Sequence, residues 1–477
     1  MRLKTVLHRK FDDGGGARFV YAANTAAILN LDELADSIVD AFAGPEGRDA
    51  DEWLAERPDA AAADAALHDL VELGVIRPVG DPTPPRTKLP PMPFPISTLV
   101  LNVTNKCNLS CTYCYEYGAD RLTPGSGSDG AGKARMDDDT ARRSIDFLMR
   151  SSGDRPQVTI TFFGGETLLN FQAIRAATEY AEQCGRTHRK RVHLSLTTNA
   201  TLLSDEVIEY LTSHRFGITV SIDGDRKEQD RHRTFRSGAG SFDTIAPRIR
   251  SLVAANKAAK GRSIGARVTV TAGASAVADT YRFLVGELGF DEVGFAPVTA
   301  GLGRDYALGD AGYERLLSEF GELAEDYVAA ASRGEQHGFA NLGDMLRELH
   351  QGVSKAHPCG AGLGLLGVST EGELGLCHRF VESKSHSVGH VDTGVDQAAR
   401  SAFLERAHVD QKTDCTQCFA RPLCAGGCYH EAHVRYGDAT RANLHYCDWI
   451  RGFVDLGLRS YARIMTANPK FFARFEA

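Results

Sequence analysis

The chain has 477 residues, 43% hydrophobic and 24% charged, enough for about three domains and too apolar overall for disorder to dominate. A formal net charge of -8 argues against a nucleic-acid partner, which calls for a basic field facing the phosphates, and favours a peptide or small molecule. The N-terminus MRLKTVLHRKFDDGGG has no apolar export segment and no stretch reaches membrane-span length, so a cytoplasmic protein without a membrane partner is expected, whose eleven cysteines serve metals or catalysis rather than disulfides.

Over residues 1–80, strand signals (LKTVL, ARFVYAANTAAILNLD) precede the amphipathic stretches LDELADSIVDAF, ADEWLAE and AADAALHDLVELGVI, which predicts a small module of β structure and three helices. The proline-rich run GDPTPPRTKLPPMPFP makes residues 81–95 a stiff linker. From 96 to 335 the apolar strands ISTLVLNVT, QVTITFFGGE, RVHLSLTTN, GITVSID, ARVTVT and EVGFAPV alternate with helical segments. Six such units predict an α/β fold with a parallel sheet, a partial (β/α)6 barrel whose reactive groups gather at strand C-termini. The Gly/Ser-rich stretch 118–135 reads as a surface loop within it. Over 336–477 the periodicity weakens and cysteines crowd in, as expected of a domain organised by metal clusters rather than by a large apolar core.

Cys107, Cys111 and Cys114 stand in CNLSCTYC directly after the first barrel strand. Three thiolates can hold three irons of a four-iron cube and leave one open for chemistry, although the same spacing also suits one face of a helix. Gly164, Gly165 and Glu166 end the second strand, where glycines admit a ligand to the backbone and a carboxylate can accept from an ammonium group. Thr198 and Asn199 end the third strand, Ser221 and Asp223 the fourth, and Arg233 follows in DRHR, supplying hydroxyls and a charged fork. Farther on, Cys359, Gly372 and Cys377 form C-x12-G-x4-C, Cys415, Cys418, Cys424 and Cys428 form C-x2-C-x5-C-x3-C, and Cys447 closes the series. Zinc ribbons also use C-x2-C pairs. Cys184, on a helix, is expected to be a packing residue.

The first cysteine motif, with Tyr113 before its last cysteine, resembles the radical S-adenosylmethionine (SAM) superfamily. That resemblance implies an open iron that chelates SAM and an electron transfer that releases a 5'-deoxyadenosyl radical. It makes Gly164, Gly165 and Glu166 the clamp on the SAM amino group and assigns the ribose and carboxylate to Ser221 and Arg233, with Tyr113, Thr198, Asn199 and Asp223 beside them. The later seven thiols resemble the SPASM extension of peptide-modifying members. By that resemblance Cys415, Cys418, Cys424 and Cys447 hold one auxiliary iron-sulfur cluster, while Cys359, Cys377 and Cys428 hold a second with a free position. The N-terminal module resembles the winged-helix-like peptide-recognition element, which takes up a leader peptide as an added strand; a structural cap is the plainer alternative.

The implied activity is maturation of a precursor peptide or small protein subunit with Cys and acidic residues, by thioether bonds from Cys to Asp or Glu carbons, with an electron donor such as flavodoxin or ferredoxin. CHRF at residues 377–380 resembles thioether-forming members, whereas sulfatase-maturing relatives usually carry an aspartate at the place of His378. CTYCYEYG and FFGGETLLNF most resemble maturases of the quinohemoprotein amine dehydrogenase small subunit. Asp410 and Asp414, close to Cys415 in sequence, are candidate bases for the attacking thiol. The alternatives are formylglycine formation on a sulfatase and a non-enzymatic iron-sulfur carrier that docks a peptide.

Overall fold

The computed structural model describes residues 1–81, 92–116, 134–301 and 303–476, so most of the expected 81–95 linker and 118–135 loop lies outside the described residues. The N-terminal part holds β1 (Arg2–Thr5), β2 (His8–Asp12), β3 (Arg18–Ala22), β4 (Ala27–Leu31), β5 (Arg48–Asp49) and β6 (Ile76–Pro78). They form two antiparallel sheets, ordered β5-β1-β6 and β2-β3-β4. The run read as one strand signal, ARFVYAANTAAILNLD, is the β3–β4 hairpin, turned at Ala26 with φ +49°. The three helices are present as Glu33–Ala41, Ala50–Ala55 and Ala60–Glu72. Asp32 and Asp49 cap the first two, their carboxylates accepting from otherwise unpaired first-turn amides.

β3 is buried on both faces. Val20 and Ala22 close the module's own core against Leu31, Ile38, Phe42 and Trp53, whereas Phe19 and Tyr21 point the other way into the main core. The period of two in a strand produces this division. Arg9 fastens the same sheet to the C-terminal helix Cys447–Ala467, its Nε 2.6 Å from Asp455 Oδ1 and its guanidinium over Phe419.

The central sheet contains β7 (Thr98–Thr104), β8 (Gln157–Gly164), β9 (Arg191–Thr198), β10 (Gly217–Ser221), β11 (Ile264–Val270) and β12 (Glu292–Pro297), all parallel and adjacent in sequence order. The expected six-unit partial barrel is therefore the observed one. Leu99, Leu101, Val158, Ile160, Leu194, Leu196, Ile218, Val220, Val268 and Phe295 face the helical layer and are buried there. Most of their alternates are small or polar, among them Thr159, Thr161, Ser195, Thr197, Thr219, Gly265 and Thr269, so the inner face is not filled by aliphatic layers.

The C-terminal region departs from expectation. β13 (Leu365–Val368) pairs in parallel with β7, Leu365 opposite Thr98 and Val368 opposite Leu101. β14 (Glu373–Gly375), β15 (Ser387–His390) and β16 (Gly394–Val395) continue antiparallel, giving one ten-stranded sheet from β12 to β16. Arg400, fully buried, secures the entry to β13 by donating to the carbonyls of Gly362 at 2.7 Å and Phe94 at 3.0 Å. Apolar packing is also larger than the weak periodicity suggested, since Trp449 and Phe453 of helix Cys447–Ala467 bracket Phe320 of helix Asp310–Ser332. Among the described residues no helix is long and apolar enough to cross a membrane.

Candidate functional site

The strand ends meet around the first cysteine loop. Gly164 has φ +140°, and a Cβ there would lie 2.4 Å from the Thr104 carbonyl oxygen, so only glycine lets β8 end against β7 in this way. Glu166 follows, fully buried. It accepts from Thr198 Oγ1 at 2.6 Å, from the Asn199 amide at 2.7 Å and from the Leu168 amide at 3.0 Å. Burial pushes its carboxyl up and outweighs those three donors. The Glu166 side chain thus braces β8 to β9. Asn199 carries the brace onward, its Nδ2 3.0 Å from Asn108 Oδ1 and 3.9 Å from Cys107 Sγ.

On the other side of the loop, Tyr113 OH donates to Asp223 Oδ2. Arg233 Nε lies 3.0 Å from the same oxygen and its guanidinium stands over the Tyr113 ring. The Thr269 amide donates to the second Asp223 oxygen at 3.0 Å. Tyr113, Asp223 and Arg233 are therefore one buried unit tying the cysteine loop to β10 and β11. His232 adds a second tie, with Nδ1 2.6 Å from Thr112 Oγ1 and Nε2 3.2 Å from Thr271 Oγ1. Ser221 ends β10 opposite Arg267 of β11.

The thiols fall into separate groups. Cys107 lies close enough to Cys111 to feel its charge, the two standing beside Glu166 and Arg233 respectively. Cys359, Cys377 and Cys428 form a second set by the same measure, and Cys415, Cys418, Cys424 and Cys447 a third. The three-plus-four division of the later cysteines thus recurs in space. Burial raises the Cys107 and Cys415 thiols to about 11 and Cys377 to about 12. Such thiols stay protonated until a metal charge ionises them, which suits the donor set to iron. Among the described residues no three His, Cys, Asp or Glu side chains are drawn around a point as ligands of a single ion are. Cys184 is buried on helix Phe171–His188, in contact with Tyr180.

Residues 101–266 match the radical SAM superfamily profile. The chain carries a radical SAM domain and is an enzyme. It is 32% identical over 149 residues to an uncharacterised protein of Methanocaldococcus jannaschii, covering 31% of this chain and 46% of that one. A serine-type anaerobic sulfatase-maturating enzyme of Bacteroides thetaiotaomicron is 33% identical over 35% of this chain and 38% of its own. The chain thus spans less than half the length of these two relatives. A second enzyme of that type, from Klebsiella aerogenes, is 26% identical over 81% of this chain and 92% of its own. Among solved structures, anSMEcpe with bound AdoMet superposes with a TM-score of 0.61 at 20% identity over 80% of this chain and all of that one. Streptococcus suis SuiB bound to precursor peptide SuiA does so with 0.51 at 15% identity over 94% of this chain and all of that one. These two likenesses establish the fold. A radical SAM domain works with SAM and a 4Fe-4S cluster.

The two aspartates expected to act as bases lie beside the four-thiol set. Asp410 is paired with Arg421 and lines a cavity of about 640 Å³ between the N-terminal module and the C-terminal region, with Lys4, His8 and Lys355. Asp414 is exposed. Neither shares a hydrogen bond or ion pair with the barrel-mouth residues among the described ones; the segment Val409–Cys415 is taken up by two short 3-10 turns that end on Cys415, and Asp414 lies near enough to Cys447 to act on its thiol. Beside the three-thiol set the segment after Cys114 meets the one after Cys377. Tyr115, one residue past Cys114, lies near Cys377 and carries the Arg379 guanidinium 4.3 Å from its ring centroid. The His378 ring packs on Phe163 at 4.5 Å, and burial followed by the Arg379 charge lowers its pKa to about 3. Glu116 is half-buried, its Oε1 shut off from water and unpartnered, and desolvation, reinforced by Glu382, raises it to about 7. In the sequence these residues stand in CTYCYEYG and CHRF, beside cysteines, but nothing there shows that the two segments meet.

Proposed function

We propose that the protein is a peptide maturase that forms Cys-to-carbon thioether bonds in a precursor polypeptide, with Asp or Glu side chains as carbon partners, as in quinohemoprotein amine dehydrogenase small-subunit maturation. The observation that carries this reading is the placement of the three-thiol set across Tyr115 from the initiator cysteines. Cys107, Cys111 and Cys114 would hold the SAM-binding cluster, Cys359, Cys377 and Cys428 one auxiliary cluster, and Cys415, Cys418, Cys424 and Cys447 the other. When loaded, the first set supplies the electron that opens SAM, and the three-cysteine set an acceptor for the electron left over once a carbon hydrogen and the thiol proton have departed.

The chain's own residues position the partners. Glu166, Asn199, Tyr113, Asp223, Arg233 and His232 fix the cysteine loop to four strand ends, so a bound SAM meets a preorganised floor. The polar inner strand faces leave room for the substrate segment. The N-terminal module would take the leader along β4, the open edge of its sheet, since β2 is covered by helix Cys447–Ala467.

Anaerobically reconstituted protein with dithionite, SAM and the peptide of the neighbouring short reading frame should yield 5'-deoxyadenosine and a product lighter by about two hydrogens per bond, with thiols that resist alkylation. Unchanged mass sinks the thioether reading. A second reading, formylglycine formation, is favoured by the match along nearly the whole Klebsiella aerogenes enzyme. It would appear instead as an aldehyde that reacts with hydrazides.

A further inference from the structure

Arg379 has an unusual position for an arginine. It sits in the short 3-10 turn His378–Phe380, directly after the auxiliary thiol Cys377. Its guanidinium reaches over the barrel mouth, where Nη1 donates to Thr299 Oγ1 at 3.1 Å, just past the end of β12, and the group stacks on Tyr115. Both contacts fix the fork without neutralising it. The neighbouring arginines of the barrel mouth have acids, with Arg233 3.0 Å from Asp223 and Arg231 2.8 Å from Glu228. Among the described residues no carboxylate comes within ion-pair distance of Arg379. Glu116 feels its charge from farther off, and Glu431 is engaged by His445 at 3.1 Å.

A second cation faces the same space. Arg267 stands on the inner side of β11, solvent-accessible between buried Ala266 and Val268, and its charge and that of Arg379 oppose each other. Its nearest acid, Asp344, is bound to Arg347 at 2.8 Å. Two guanidiniums close enough to feel each other's charge, one of them stacked, half-buried and without a carboxylate partner among the described residues, form a receptor for a carboxylate supplied from outside. The location selects which carboxylate. It lies between the initiator cysteines, reached through Tyr115, and the three-thiol set, reached through Cys377.

We propose that Arg379 binds the side-chain carboxylate of the substrate's acidic acceptor residue and so sets the preference for Asp or Glu over neutral residues. The inference rests on the thioether reading and adds to it the group that recognises the acceptor. A planar fork grips both carboxylate oxygens, leaving the acceptor's methylene carbons as the only part of that side chain free to react. An amide acceptor would give up the charge and one of the two hydrogen bonds.

The test uses reconstituted wild type, Arg379→Gln and Arg379→Lys with two fluorescein-labelled peptides copied from the neighbouring short reading frame, one native and one with its acidic acceptors changed to amides. Anisotropy with SAM but no reductant measures binding, and mass spectrometry after reduction measures cross-linking. Wild type is expected to bind the acidic peptide at least about tenfold tighter than its amide twin, the lysine variant to keep part of that ratio and the glutamine variant none. An acid-to-amide ratio unchanged in Arg379→Gln overturns the proposal. So does a variant altered only in the electron paramagnetic resonance of its auxiliary clusters, which would make Arg379 a counter-charge for thiolates. If wild type prefers the acidic peptide through Arg379 yet forms no thioether, the assignment of the reaction falls while the recognition site stands.

Discussion

Glu166 accepts from Thr198 Oγ1 and from the Asn199 and Leu168 amides while shut off from water. Removing it leaves three donors facing a void, each orphaned donor costing about 1–3 kcal/mol before relaxation. Glu166→Ala should therefore lose about 2–4 kcal/mol of stability in denaturant unfolding, the void partly relaxing, whereas Glu166→Gln, which keeps one acceptor oxygen, should lose less. An alanine variant of unchanged stability would mean that the carboxylate is held for SAM alone. The glycines and glutamate at this strand end were legible as a motif. Thr198 and Asn199 were legible as strand-end residues but not as its partners, since Asn199 lies 33 residues away and only the parallel pairing of β8 with β9 brings them together. Arg379 was hidden differently, because its meaning lies in the acid it lacks, and a one-dimensional reading does not show that.

At the scale of elements, the β13–β14 turn depends on Gly372, with φ +99° and a Cβ position 2.9 Å from Val391 Cγ2. Gly372→Ala combines a left-handed strain with a clash and should cost about 1–3 kcal/mol. Because Cys377 follows β14, its alkylation by iodoacetamide in the metal-free variant should quicken while that of Cys107 does not. The contact between Arg9 on β2 and the C-terminal helix gives a pH signature. Burial pushes the Asp455 carboxyl up, but hydrogen bonds from Arg9 and Arg459 outweigh it and hold it below its ordinary value. A depressed carboxyl stabilises the folded state above its unfolded pKa and loses that contribution as pH falls through the folded one. Hydrogen exchange in β2 should thus rise below about pH 4, and Asp455→Asn should remove the acid dependence. The six βα units were legible because long apolar strands alternate with amphipathic helices. β13 was not, since LLGV is short and set among Gly360, Gly362, Gly364 and Gly367, which erases any period.

For the whole molecule, the boundary at residue 335 exists in composition but not in the sheet. β13 completes the edge of β7 along Thr98–Leu101, so a chain ending at 335 would bare a long apolar strand edge and should elute as aggregate in size-exclusion chromatography. The contribution of the C-terminal region to the reaction is better tested inside the intact chain. Replacing Cys359, Cys377 and Cys428 together by alanine leaves the initiator loop with all its ties to β9, β10 and β11, because none of those ties involves these three thiols. Reductive formation of 5'-deoxyadenosine from SAM should therefore persist, while the peptide keeps its original mass. If cross-linking survived the triple substitution, the leftover electron would have another exit and the three-thiol set would serve only to fold the hairpin of β13 and β14. If 5'-deoxyadenosine were lost as well, the two halves of the sheet would be coupled more tightly than their contacts imply, and iron per chain would separate a failed initiator site from a failed fold.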